Sequence, residues 1–129
     1  MIHTILLIED NEQNRYLVTF LLEKQGHRVV AACDGKEGIQ MAGAVRPSLI
    51  LLDIQLPTMD GHAVARELRA DSAFDAIPII AVTSYAMAGD RDKALAAGCN
   101  GYIEKPINPE TFVHEVERYL TRDREDARR

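Results

Sequence analysis

Tryptophan is absent from this 129-residue chain, and tyrosine and phenylalanine together supply only 5% of it. A surface that stacks on nucleic-acid bases needs several aromatic faces, so the composition argues against one. A formal net charge of -5 argues the same way, because binding along a phosphate backbone needs an excess of lysine and arginine. Cysteine is scarce as well. Cys33 and Cys99 are the two present, too few for a disulfide scaffold, and they read as small buried or half-buried residues of a reducing compartment. No apolar run approaches the ~20 residues that span a bilayer. The first strand-like run begins almost at the N-terminus, leaving no room for a secretory leader, so the expected location is cytoplasmic with no membrane contact. Glycine-rich phosphate loops are missing too: neither G-x-G-x-x-G nor G-x-x-x-x-G-K-S/T occurs.

What is present is a strict alternation of two patterns. The chain is 47% hydrophobic and 27% charged, the balance of a globular domain with a real core. Apolar runs at 4–8, 28–32, 48–52, 78–82 and 101–104 predict strands. Those at 4–8, 48–52 and 78–82 are nearly continuous in Ile, Leu, Val and Ala, as strands buried on both faces are. The run at 28–32 is weaker and suits a sheet edge. Helical patterns fall between them. The first, 12–25, carries Tyr16, Leu17, Phe20 and Leu21 and stops at Gly26. Asp34 and Glu37 form a capping box for a helix at 35–44. Asp60 caps 61–70, with Val64, Ala65 and Leu68 facing inward. A short alanine-rich helix at 88–97 ends at Gly98. Asn108-Pro109-Glu110 opens the last one, whose stripe is Phe112, Val113, Val116 and Leu120. Five such units make an α/β, (βα)5 doubly wound fold. Right-handed crossovers and helices on both faces give a parallel five-stranded sheet of order 2-1-3-4-5. The domain is expected over 1–121. Residues 122–129 are charge-rich and lack apolar periodicity, and read as a frayed helical extension or a disordered tail.

In an open α/β sheet, ligands bind beyond the carboxyl ends of the strands where the order reverses, here between strands one and three. Glu9 and Asp10 follow the first strand and Asp53 ends the third. Acids in the first turn, with no glycine, would repel a pyrophosphate and weaken the dinucleotide-binding alternative. Charges at the ends of buried strands are costly unless they meet and are used. Glu9, Asp10 and Asp53 together would repel one another and hold their protons more tightly. A hard cation such as Mg2+, with Mn2+ able to substitute, would relieve that repulsion. Asp53 could then attack phosphorus, with the metal and Lys105 on the equatorial oxygens. Thr83 ends the fourth strand at the same edge and can donate to a phosphoryl oxygen. The four histidines, His3, His27, His62 and His114, show no metal-ligand spacing.

Glu9-Asp10-Asn11, the run from Asp53 through Gly61, Ala81-Val82-Thr83-Ser84 and Tyr102-Ile103-Glu104-Lys105-Pro106 together resemble the receiver domain of bacterial two-component response regulators, most closely the free-standing single-domain kind. The resemblance covers residues 3–120. It implies a CheY-like (flavodoxin-like) fold with Asp53 as the phosphoacceptor and Mg2+ held by Asp10, Asp53 and the carbonyl of Gln55, Glu9 acting partly through water. It implies that Thr83 and Lys105 contact the phosphoryl group, that the Lys105–Pro106 bond is cis, and that Tyr102 is a switch aromatic swinging inward as Thr83 moves. Gln55 and Tyr85 fall where members of the family tune the access of water to the acyl phosphate. The implied function is a phosphorylation-dependent switch rather than a conventional enzyme. Its donor would be a histidine kinase or histidine phosphotransfer protein. Its output would go to a downstream regulatory protein through the face of helix four, strand five and helix five, without direct nucleic-acid contact and as a monomer or weak dimer. Two other classes compete. Haloacid-dehalogenase phosphatases use Asp-x-Asp, and here Gln55 stands where the second acid would be. A transcription factor would need an output domain beyond this chain.

Overall fold

The computed structural model describes the backbone of residues 3–84 and 89–127, and side chains as far as Leu120. Tyr85, singled out in the sequence, and residue 88, the expected start of the fourth helix, lie outside the described residues. The elements run β1 (Thr4–Ile8), α1 (Glu12–Lys24), β2 (Arg28–Ala32), α2 (Gly35–Val45), β3 (Leu49–Asp53), α3 (Gly61–Arg69), a short 3-10 turn at Ser72–Phe74, β4 (Ile79–Thr83), α4 (Asp90–Ala96), β5 (Gly101–Glu104) and α5 (Phe112–Ala127). The five strands form one parallel sheet in the order β2-β1-β3-β4-β5.

Period-two alternation along the strands divides the core between the two faces. Leu6, Ile8, Ile50, Leu52, Ile79 and Ala81 pack with Val64, Ala65 and Leu68 of α3 and with Ala42 and Ala94 of α2 and α4. Ile5, Leu7, Leu49, Leu51, Ile80 and Val82 pack with Val18 and Leu22 of α1 and with Phe112, Val116 and Leu120 of α5. Each large aliphatic residue wholly removed from water contributes roughly 1.5–3 kcal/mol, and the central strands are lined with them on both sides. Their register fixes the chemistry. Ile8 pairs with Leu52, so the next residues, Glu9 and Asp53, leave the sheet side by side. Asp53 pairs with Val82 and Thr83 with Glu104, which brings Thr83 and Lys105 to the same edge.

Local signals act largely as the sequence implies. Asp34 accepts from the Glu37 amide at 2.8 Å, and the Glu37 carboxylate reaches back to the Cys33 amide at 2.9 Å, one residue short of the usual box partner. Asp60 accepts from the His62 amide at 3.0 Å. Gly26 turns the chain after α1 with φ 91°, a region side chains other than glycine's rarely adopt.

Of the helical apolar residues in α1, Tyr16 and Phe20 are exposed and stack on each other at 6.4 Å, Leu21 packs against the core, and the fully buried residues are Val18 and Leu22. Two expectations are corrected. Helix α5 begins at Phe112 rather than at Pro109. The Thr111 and Phe112 amides both turn back to the Asn108 carbonyl, so residues 109–111 form a separate turn that Asn108 caps through the Glu110 amide. Cys33 is exposed, because it follows the edge strand β2, while Cys99 is buried.

Candidate functional site

The edge where β1, β3 and β4 end forms an open cleft of about 590 Å3 lined by Glu9, Asp10, Asp53, Gln55, Ser84 and Lys105, among others. Glu9 and Asp53 are each only 3% exposed, while Asp10 faces solvent. Glu9, Asp10 and Asp53 each offer a carboxylate oxygen, and these oxygens lie within 4.8 Å of one another. An all-oxygen, acid-rich donor set of this kind fits a hard divalent cation such as Mg2+. The main chain supports the acids. Asp53 Oδ1 accepts from the Gln55 amide at 2.9 Å, and Glu9 Oε2 accepts from the Asn11 amide at 3.3 Å.

Lys105 spans the two buried acids. Its Nζ lies 2.8 Å from Glu9 Oε1 and 3.4 Å from Asp53 Oδ2. The Lys105–Pro106 peptide is cis. Burial alone would lower the lysine pKa, but the hydrogen bond to Glu9 and the charge of Asp53 outweigh it and hold the pKa above its ordinary value. The carboxylates part company. Burial pushes the Asp53 carboxyl up to about 7, and its hydrogen bond and repulsion with Glu9 add to the rise. Burial also acts to raise Glu9, but the hydrogen bond with Asp53 and the ammonium of Lys105 bring it below its ordinary value. The general rise expected from mutual repulsion therefore holds for Asp53 and is reversed for Glu9, by the hydrogen bond with Asp53 first and by the nearer approach of Lys105 second.

Thr83, buried at the end of β4, is held by the side chain of Gln55, whose Nε2 donates to Thr83 Oγ1. Gln55 Oε1 accepts from the Ser84 amide at 3.2 Å and from Ser84 Oγ at 3.3 Å. Tyr102, half-buried on β5, shares with Thr83 and Gln55 a second cavity of about 650 Å3 between α3 and α4. Its phenol is pushed above its usual pKa by burial and by Asp90 and Glu104.

Two features of the site escape sequence reading. Arg15, in the first turns of α1, donates to the carbonyls of Glu9 at 2.9 Å and Asp10 at 2.8 Å, and so fixes the acidic loop from behind. An arginine five residues beyond Asp10, on the helix that follows the acids, is the signal that could have marked it. The side chain of Gln55 is the other. Its position on the sequence gives the main-chain role, but not the reach to β4.

The sequence model of the response regulator receiver domain matches residues 5–117. A polar-differentiation response regulator, DivK, of Brucella anthropi is 39% identical over 117 residues, which span 91% of this chain and 95% of the relative. DivK of Brucella ovis is 38% identical over 120 residues, 93% of this chain and 98% of the relative. Among solved structures, the receiver domain of a sensor histidine kinase of Pseudomonas aeruginosa, with a magnesium ion coordinated in its active-site cleft, superposes with a TM-score of 0.86 at 36% identity, covering 94% of this chain and 99% of that one. A chemotaxis response regulator of Vibrio cholerae gives 0.87 at 28% identity, covering 92% and 99%.

Proposed function

Since the chain belongs to the response regulator receiver domain family of two-component signalling, we propose that it is a cytoplasmic phosphorylation switch in which Asp53 takes a phosphoryl group from a phosphohistidine donor. One observation carries the reading: Asp53 meets Glu9, Asp10 and Lys105 at one edge of the sheet, at the point where the strand order reverses. In the transfer an Asp53 carboxylate oxygen forms a bond to phosphorus as the bond from phosphorus to the histidine nitrogen breaks. The imidazole leaves with that electron pair. Asp10, Asp53 and the main-chain carbonyl of Gln55 would hold Mg2+, Mn2+ substituting, with Glu9 acting partly through water. Bound there, the cation supplies the positive charge that lets an anionic phosphoryl group approach an acidic wall.

The chain's own groups do the rest. Lys105, a cation at neutral pH, pairs with the equatorial oxygens of the phosphoryl group once it arrives. Thr83 donates to another of those oxygens. A group carrying about -1.5 to -2 charge and strong acceptor oxygens draws Thr83 toward Asp53, and Tyr102, on the same cavity, follows. The signal leaves through the face made by α4, β5 and α5, which a downstream regulatory protein reads. The donor is a histidine kinase or histidine phosphotransfer protein, and the switch works by protein contact, without nucleic acid, as a monomer or weak dimer. It catalyses its own phosphoryl transfer and slow dephosphorylation and is otherwise not an enzyme.

The test is direct. Incubated with Mg2+ and acetyl phosphate, the protein should gain the mass of one phosphoryl group, and Asp53→Asn should gain none. Equal labelling of both proteins sinks the assignment.

A further inference from the structure

Gln55 uses its two halves on different strands. Its main-chain amide donates to Asp53 Oδ1, while its side chain crosses to the end of β4. The orientation of that side-chain amide is fixed by chemistry. The Ser84 backbone N–H can only donate, so Oε1 must face it, and the NH2 group is left to meet Thr83 Oγ1. Ser84 Oγ joins on the same oxygen. One amide thus ties the loop after Asp53 to two consecutive residues of β4 and its exit. Thr83 is 2% exposed, so a hydrogen bond to its oxygen is not exchanged freely for one to water and counts toward holding the arrangement.

We propose that the Gln55 side chain is a brace that stabilises the resting conformation and competes with the phosphoryl group for Thr83. This rests on the reading of Asp53 as the phosphoacceptor. In the resting state the amide holds the Thr83 hydroxyl and the Ser84 main chain toward β3. When Thr83 turns to donate to a phosphoryl oxygen on Asp53, its geometry toward Nε2 is lost, and Ser84, the next residue, moves with it. Gln55 is then a positioning residue. It sets how far the resting equilibrium lies from the phosphorylated form, and a ligand must make up that difference in its apparent affinity.

The probe is beryllium fluoride with Mg2+, a phosphoryl mimic that binds reversibly and so is independent of water attack. Gln55→Met keeps the length of the side chain and removes its hydrogen bonds. Titrated by amide NMR, Gln55→Met should bind the mimic roughly 3- to 10-fold more tightly than wild type, the scale of one or two lost neutral hydrogen bonds. In a Thr83→Ala background the same substitution should change affinity by less than about twofold, because the partner it competes for is gone. Unchanged affinity in the wild-type background overturns the brace. So does equal tightening in both backgrounds, which would show that Thr83 is not the group the amide competes for. Failure of wild type to bind the mimic would count against the phosphoacceptor reading instead. The brace would then be decided on the unliganded protein, where Gln55→Met must shift the Ser84 amide resonance; an unmoved resonance overturns it.

Discussion

Asp53 and Glu9 are both carboxylates, both almost wholly buried, and neighbours at one sheet edge, yet their pKa values move in opposite directions. Burial acts to raise both; the hydrogen bond between them raises Asp53 and lowers Glu9, and the ammonium of Lys105, 2.8 Å from Glu9 and 3.4 Å from Asp53, lowers Glu9 further. That predicts a pH dependence of the metal-free protein. Asp53, raised to about 7, binds its proton more tightly folded than unfolded, so it adds stability as pH falls through 7 and withdraws it as pH rises. Glu9, lowered, costs stability only once pH drops below its ordinary range near 4.5. Between about pH 5.5 and 7.5, then, the melting temperature of wild type relative to Asp53→Asn should climb as the solution is acidified, by a few degrees on the usual scale for a domain of this size. Mg2+ should flatten the difference by relieving the repulsion at the high-pH end. A wild-type curve parallel to that of Asp53→Asn, in melting scans without metal, contradicts this. The crowding of acids is legible in the sequence, since runs ending in Glu9-Asp10 and Asp53 announce it. The opposite direction of the two shifts is not legible, because it depends on the hydrogen bond between Glu9 and Asp53 and on where Lys105 reaches.

Among the elements, the turn from β3 into α3 packs closely against the main chain that carries Asp53. Gly61 reads in the sequence only as the first helical residue after the Asp60 cap. In the fold it packs against the turn that carries Asp53. Its amide donates to the Ile54 carbonyl at 3.0 Å, and a Cβ placed on it would lie 2.5 Å from Ile54 Cα and 2.6 Å from the Asp53 carbonyl oxygen. Both obstacles are main chain, so they cannot swing aside. Gly61→Ala should cost about 1–3 kcal/mol by denaturant titration and should slow labelling of Asp53 by acetyl phosphate, because the turn must shift to admit the methyl group. A variant as stable as wild type and labelled as fast would show that the turn yields cheaply. Element type was readable throughout, from apolar runs, caps and glycine stops. Orientation was less so. In α1 the spacing of Tyr16, Leu17, Phe20 and Leu21 is helical, but only the sheet decides that Val18 and Leu22 turn inward. Tethers between distant segments were invisible. The Arg69 guanidinium donates to the carbonyls of Phe74, Ile77 and Gly98 and to Asn100 Oδ1, joining the end of α3 to the approach to β4 and the loop after α4. No local pattern links those positions.

The whole molecule was the most legible level. Three continuous apolar runs had to be central strands, the weak run at 28–32 had to be an edge, and right-handed crossovers left the order β2-β1-β3-β4-β5. That order alone puts the acids, the hydroxyl and the lysine at one end of the sheet. The face proposed to carry the output includes the side of β5, where Tyr102, Glu104, Phe112, Glu115, Arg118 and Tyr119 help to line a cavity of about 350 Å3. Arg91 and Lys93 of α4 are exposed, Lys93 at the cavity between α3 and α4, two cations on a chain of net charge -5. An acidic or amphipathic surface on the downstream protein would meet them at its rim, where each pair is worth on the order of 1 kcal/mol. Reversing both charges, Arg91→Glu with Lys93→Glu, should therefore weaken binding of that partner to the phosphorylated protein by about tenfold in a calorimetric titration. Labelling of Asp53 by acetyl phosphate should stay within about twofold of wild type, because neither residue lines the cleft that holds Asp53. Loss of labelling together with loss of binding would mean that α4 serves the chemistry rather than the output. Sequence-specific DNA binding by the protein at physiological salt would move the output to nucleic acid, against a net negative charge that has to be overcome at every phosphate.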